Sequence, residues 1–348
     1  MIGAWVELSR ENLPLARAEL DAALQAMGRS TSEAGAGPSL PSVAVESPAE
    51  ARRLAARLAL ARRVIARWKE TSSQGIEGRL RREVRAGESV SFRPLDRPTG
   101  AVLDPRVRAW AVAIGSVGAR IDLEAPDRRF VFRSSEATVG EFGEEVASVD
   151  RASFDQRRMP RLPFRRPVSL PPKLGRVAAN LARVRPGDRV VDPFLGTGAL
   201  AIESALLGAG VTGVDTDATM VKGAVANFAH LSLAPEAFVV ADAGSEPVRG
   251  VYDALVTDPP YGRASTTGGE DSALLAERVV GHWAPAIRPG GRLVVVVPGG
   301  PDPVASPWRR ILAIPDRVHR SLRREFRVYE RVGESESGPR PGDPTTAS

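Results

Sequence analysis

One stretch limits the fold more than any other: Val190-Val191-Asp192-Pro193-Phe194-Leu195-Gly196-Thr197-Gly198, a short apolar run that ends on two glycines and passes straight into helix-forming residues 199–207. Gly196 and Gly198 let the backbone turn tightly and approach a ligand, and the helix that follows offers its unpaired N–H groups to the same place. A strand that turns in this way into a helix is the first half of a β-α-β unit, and the residues downstream repeat the pattern. Strands are expected at 189–192, 211–215, 237–241, 254–258 and 292–298, with helices near 199–207, 219–230 and 272–287. Two more strands, 311–319 and 325–331, lie close enough for an antiparallel hairpin. The fold class is therefore α/β, with a doubly wound, Rossmann-like domain on a mostly parallel seven-stranded sheet.

The first half reads differently. A strand at 4–9 precedes a helix over 12–27, then a Ser/Gly/Pro-rich loop at 29–41 and a strand at 43–46. From Pro48, Leu54, Leu58, Ala61, Ile65 and Trp68 keep one apolar stripe at helical spacing, which predicts a single helix through that region. Its other faces carry Arg52, Arg53, Arg57, Arg62, Arg63 and Arg67, either a solvated face or a surface for RNA. Strands at 90–94, 119–123, 129–133 and 138–149 with a helix at 105–114 give an α+β layout, mostly antiparallel. The basic, proline-punctuated run 157–167 suits a linker, and the Gly/Pro/Ser/Thr-rich residues after 332 suit a disordered tail.

Composition narrows the chemistry. The absence of cysteine removes disulfides, thiolate nucleophiles and Cys-ligated zinc. His230, His282 and His319 show no metal-ligand spacing, so no metal is expected. No apolar run approaches the roughly 20 residues that cross a bilayer, and Glu7, Arg10 and Glu11 interrupt any signal segment, so a cytoplasmic protein without a membrane is expected. The 48 Lys+Arg against 42 Asp+Glu are almost all arginine on the positive side, which points to a polyanionic partner.

Asp192 stands at the strand end just before the glycine turn. The Gly196-x-Gly198-x-x-Ala201 spacing also satisfies a dinucleotide fingerprint, so a nicotinamide-binding domain competes. A carboxylate at that place repels a pyrophosphate and attracts the cationic amino group and sulfonium of S-adenosylmethionine. Asp215, ending the second strand, can accept from both ribose hydroxyls; Asp217 suits the N-cap of the next helix. Asp242, after the third strand, suits either an adenine amino group or a solvated loop. The second motif, Thr257-Asp258-Pro259-Pro260-Tyr261-Gly262, ends the fourth strand and so lies along the same sheet edge. An exocyclic amino nitrogen on a base is a poor nucleophile, because its lone pair is delocalised. The Asp258 carboxylate and the Pro259 carbonyl can take its two hydrogens, the two prolines keep those acceptors fixed, and Tyr261 offers a face for an extruded base.

In these motifs the chain resembles the THUMP-domain class I methyltransferases, and within them the archaeal and eukaryotic enzymes that methylate N2 of guanosine at position 10 of tRNA. The resemblance rests on Asp192-Pro193-Phe194-Leu195-Gly196-Thr197-Gly198, on Gly213-Val214-Asp215-Thr216-Asp217 with Met220, Gly223 and Asn227, and on Asp258-Pro259-Pro260-Tyr261-Gly262-Arg263-Ala264-Ser265. The run from Arg166 to Leu174 is similar to the family's helix beside the cofactor, His319 to Arg324 to its closing hairpin, and Asp122 to Asp127 to a piece of its N-terminal half. The resemblance implies a ferredoxin-like plus THUMP RNA-binding region over 1–155, a linker at 156–170, a methyltransferase domain at 171–332 and a tail at 333–348. It implies catalytic Asp258, Pro259, Pro260 and Tyr261, and S-adenosylmethionine held by Asp192, Pro193, Phe194, Gly196, Thr197, Gly198, Asp215 and Asp242. It also implies tRNA as partner, with Arg62, Arg63, Arg165, Arg166 and Arg263 as candidate contacts and a monomer as the expected state. Aspartate rather than asparagine at 258 fits the guanine-N2 enzymes; the alternatives are an adenine-N6 methyltransferase on DNA or RNA and a catalytically silent tRNA-binding protein.

Overall fold

The computed structural model describes residues 2–32, 37–95, 104–134, 139–166, 169–245, 250–260, 272–298, 304, 306–319 and 322–333. The chain divides into two compact units. The first comprises Met1–Leu13, Arg29–Ala56 and Ala61–Val149; the second comprises Pro14–Gly28, Arg57–Leu60 and Asp150–Ser348. Among the described residues no helix is long and apolar enough to cross a membrane.

In chain order the first half contains β1 (Ile2–Leu8), α1 (Leu13–Ala26), β2 (Thr31–Ser32), β3 (Ser42–Val45), α2 (Pro48–Arg57), β4 (Ala61–Arg67), α3 (Ser73–Glu83), β5 (Ser89–Pro94), α4 (Pro105–Gly115), β6 (Arg120–Ile121), β7 (Arg128–Ser134) and β8 (Val139–Ser148). The first unit is built on an eight-stranded sheet ordered β2-β3-β1-β4-β8-β7-β5-β6. Only the β5–β7 and β5–β6 pairings are parallel. One of its cores joins Trp68, Phe92, Trp110, Phe130, Phe132 and Phe142, with neighbouring ring centroids 5.0 to 6.4 Å apart.

The single helix expected from Pro48 through Trp68 is not one element. It ends at Arg57, because the N–H groups of Ala59 and Leu60 donate to the Glu19 carboxylate at 2.8 and 2.7 Å instead of to helix carbonyls. Residues 61–67 then form β4, flanked by β1 and β8, and β-branched Val64 and Ile65 are both fully buried. Arg62 and Arg63 therefore sit on a strand. Helix α3 carries only two buried residues, Ile76 and Leu80, and its start is marked by the Ser72 side chain accepting from Gly75 N–H.

The second half contains α5 (Arg151–Gln156), α6 (Pro172–Leu181), β9 (Arg189–Asp192), α7 (Ala199–Leu206), β10 (Gly210–Asp215), α8 (Ala218–His230), β11 (Ala237–Val240), β12 (Tyr252–Thr257), α9 (Ser272–Trp283), β13 (Ile287–Pro298), β14 (Trp308–His319) and β15 (Leu322–Arg331). The seven-stranded sheet is ordered β11-β10-β9-β12-β13-β15-β14. β9 to β13 run parallel, while β15 is antiparallel to both β13 and β14. One apolar core includes Tyr252, Leu255, Val279, Trp283 and Val295; another includes Leu195, Ile202, Val221, Ala224 and Phe228. Residues read as linker pack in this unit: Leu162 is buried in the second core, and Arg157 pairs with buried Glu203 at 2.7 Å. The tail from 334 lies outside the described residues.

Candidate active site

The strand order places the two motifs side by side. From β9 the chain moves outward through β10 and β11, then returns to the other side of β9 for β12 and β13. That reversal, between β9 and β12, is where ligands bind in open parallel sheets, outside the carboxyl ends of the strands. Asp192, Asp215, Asp242 and Asp258 all follow or end adjacent strands on that edge.

Asp192 is buried. Its Oδ1 accepts from Phe194 N–H at 3.1 Å and from the Thr257 hydroxyl at 2.8 Å. Its Oδ2 is buried with no hydrogen-bond partner. Burial pushes this carboxyl up to about 7, with the nearby Asp215 charge adding to the rise and the Thr257 and Phe194 bonds opposing it. A buried carboxylate oxygen without a donor calls for a cation or a donor from outside the chain.

The turn after Asp192 is anchored in both cores, since Phe194 packs against one and Leu195 against the other. Pro193, Thr197 and Gly198 are buried; Phe194 and Gly196 are partly open. Gly196 (φ +51°) and Gly198 (φ +81°) occupy the left-handed region, and Gly198 caps the start of α7. A Cβ on Gly198 would lie 3.2 Å from that of Ala224, whereas one on Gly196 would find only Phe194 O, at 3.9 Å. Gly198 serves packing and Gly196 leaves room beside the turn.

Asp215 braces the turn from the next strand. Its Oδ2 accepts from Gly196 N–H at 2.8 Å and its Oδ1 from Asp217 N–H at 2.9 Å, and a carboxylate has about four lone-pair sites in all. Burial raises its pKa against those two bonds. Asp217 is the N-cap of α8, accepting from Thr219 N–H. Asp242 is exposed; it accepts from Gly244 N–H at 2.8 Å and faces Arg278 at 3.7 Å, and the Gly244 bond lowers its pKa.

Asp258 is half-buried, Pro259 buried and Pro260 half-buried immediately after β12. The Thr257–Asp192 bond ties this motif directly to the glycine turn. Tyr261 lies outside the described residues.

Comparison with known proteins matches residues 160–305 to a methyltransferase domain family, UPF0020, RMKL-like. The tRNA (guanine(10)-N2)-dimethyltransferase of Methanothermobacter thermautotrophicus is 32% identical over 256 residues, 70% of this chain and 70% of that one. This chain belongs to the tRNA (guanine(10)-N2)-methyltransferase family. A second relative of the same name, from Pyrococcus abyssi, is 33% identical over 62% of this chain and 66% of its own length. The crystal structure of TrmN from Thermus thermophilus covers 95% of this chain and 100% of that one at 20% identity, with a TM-score of 0.49. Family membership removes the nicotinamide-enzyme reading that the glycine spacing alone left open.

In this family member the candidate RNA contacts differ in their freedom. Arg63 is committed within the first unit, bonding Glu7 at 2.6 Å and Glu145 at 3.0 Å. Arg62 is half-exposed and meets Glu7 at 3.4 Å. Arg165 and Arg166 are exposed, the latter with its guanidinium 5.2 Å from the Phe164 ring centroid. Arg263 lies outside the described residues. Thr257 and Ser169 had no role assigned from sequence. Thr257 is the polar last residue of the otherwise apolar Ala254-Leu255-Val256 run, a visible sign of a buried hydroxyl with a task; Ser169 meets the Thr197 hydroxyl at 2.9 Å and carries no such sign.

Proposed function

We propose that this protein transfers methyl groups from S-adenosylmethionine to the exocyclic N2 of guanosine 10 in tRNA, in the cytoplasm. The observation that carries this reading is the Thr257 hydroxyl bond to Asp192, which joins the cofactor turn and the Asp258-Pro259-Pro260 segment into one site at the sheet's switch point. The residues fit the cofactor: the buried, unpartnered Asp192 Oδ2 suits a cationic group, and the spare lone pairs of Asp215 suit a ribose diol. Pro193, Phe194, Gly196, Thr197 and Gly198 would form its wall, with Asp242 reaching its base. S-adenosylmethionine supplies an electrophilic methyl carbon on a sulfonium.

The chain's own part is to make a poor nucleophile competent. The Asp258 carboxylate and the Pro259 carbonyl accept the two amino hydrogens, which draws the nitrogen lone pair out of the ring, and Asp258 takes up the proton released. Prolines at 259 and 260 hold φ near one value, so the acceptors need no ordering at the moment of reaction. Tyr261 supplies a stacking face for the extruded base. The α+β first unit is proposed as the ferredoxin-like/THUMP grip on tRNA, with Arg62, Arg165, Arg166 and Arg263 on phosphates and Arg63 bracing Arg62's strand.

Kinetics of Asp258→Ala test this reading: kcat falls by roughly a hundredfold or more while cofactor affinity stays within about twofold of wild type. A variant with full activity overturns the mechanism. A tRNA transcript carrying adenosine at position 10 accepts no methyl group; undiminished transfer to it overturns the assignment of the target.

A further inference from the structure

Helix α8 does more than flank the sheet. Asn227, fully buried on it, spends its whole amide on two partners: Oδ1 accepts from Phe164 N–H at 2.9 Å, while Nδ2 donates to Phe164 O and to Thr197 O, both at 3.0 Å. One helical turn earlier, Gly223 has no side chain because the Phe164 ring occupies the place of its Cβ. The peptide and the ring of Phe164 are thus both seated on α8. Thr197 is held a second time, its hydroxyl 2.9 Å from that of Ser169. Phe164 and Ser169 therefore bracket one residue of the glycine turn. The chain exposes Arg161 just before buried Leu162, and Arg165 and Arg166 between the two sides of that clasp.

We propose that Asn227 is a positioning residue that couples the cofactor turn to this arginine-bearing segment, so that filling the turn tightens the hold on RNA. The inference rests on the methyltransferase reading above. A ligand that orders the turn fixes Thr197 O; the Asn227 amide passes that order to the Phe164 peptide, and an ordered segment loses less freedom when its arginines meet phosphates. Reciprocity requires RNA to tighten the cofactor by the same factor.

The coupling is measured as the ratio of tRNA dissociation constants without and with saturating S-adenosylhomocysteine. Wild type is expected to show a ratio of about fivefold or more, and Asn227→Asp, which keeps the acceptor and loses both donor bonds, a ratio below about twofold. Gly223→Ala, which displaces the ring, lowers the ratio in the same direction. A merely structural role for Asn227 weakens both dissociation constants and leaves their ratio unchanged. If the α8 variants do not fold, Ser169→Ala interrogates the same link from the other side of Thr197 and is expected to lower the ratio as well. A wild-type ratio of one, or folded variants that keep the wild-type ratio, overturns the coupling alone; failure of the wild type to bind cofactor or tRNA at all removes the methyltransferase reading with it.

Discussion

Asp192 is under two opposing demands. Among the chain's own groups it is buried with one oxygen unpartnered, and burial raises its carboxyl to about 7 from an ordinary value of 3.8. A carboxyl whose pKa is higher folded than unfolded favours the fold in its acid form: that contribution is full below the ordinary value and is lost as pH rises through about 7. A bound cation asks for the ionised form instead. Asp192→Asn should therefore stabilise the unliganded protein relative to wild type at pH 8, with the difference shrinking at pH 5.5, as thermal melts at the two pH values would register. The same change should weaken S-adenosylmethionine binding at pH 8 by roughly tenfold to a hundredfold, the worth of a charge-assisted contact, and abolish the rise in affinity through neutral pH. Calorimetry showing unchanged affinity in the variant would exclude Asp192 from the cofactor site.

At the scale of elements, β4 shows where side-chain burial and strand pairing decide what periodicity cannot. Its Arg63 lies between Glu7 on β1 and Glu145 on β8, and both carboxylates are largely buried. Arg63→Ala would leave those two charges facing each other, and a loss of about 2 kcal/mol in urea unfolding is expected, against less than about 0.5 kcal/mol for half-exposed Arg62→Ala. Equal effects would show that Arg63 does not tie these strands. The glycine turn was legible because a strand, two glycines and a helix leave one geometry; β9 spans the expected 189–192 for that reason. The boundary at Arg57 was not legible, because the carboxylate that draws off the Ala59 and Leu60 N–H groups comes from Glu19, distant in sequence. Helix α3 was missed because two buried residues in 11, with Gly75 and Gly78 among them, leave little periodic signal. Within the site, the motif acids could be read from their positions at strand ends, whereas the Thr257 and Asn227 bonds depend on which strand and which helix become neighbours.

The whole molecule carries a formal charge of +6, with arginine supplying nearly all of the cations. On a tRNA ligand that excess appears as salt dependence, with the logarithm of affinity falling linearly as the logarithm of salt concentration rises. Arg165→Ala and Arg166→Ala should each flatten that slope by about one if each side chain neutralises a phosphate; slopes equal to wild type would place the RNA elsewhere. This basic protein, with its paired motifs on one sheet edge, is proposed to modify one amino group on one class of base. Nucleoside mass spectrometry tests it most directly, on unmodified tRNA incubated with the purified protein and S-adenosylmethionine. Wild type is expected to yield N2-methylated guanosine and Asp258→Ala at most about a hundredth as much in the same time; N6-methyladenosine, or no methylated nucleoside from a protein that binds both tRNA and cofactor, overturns the proposed reaction.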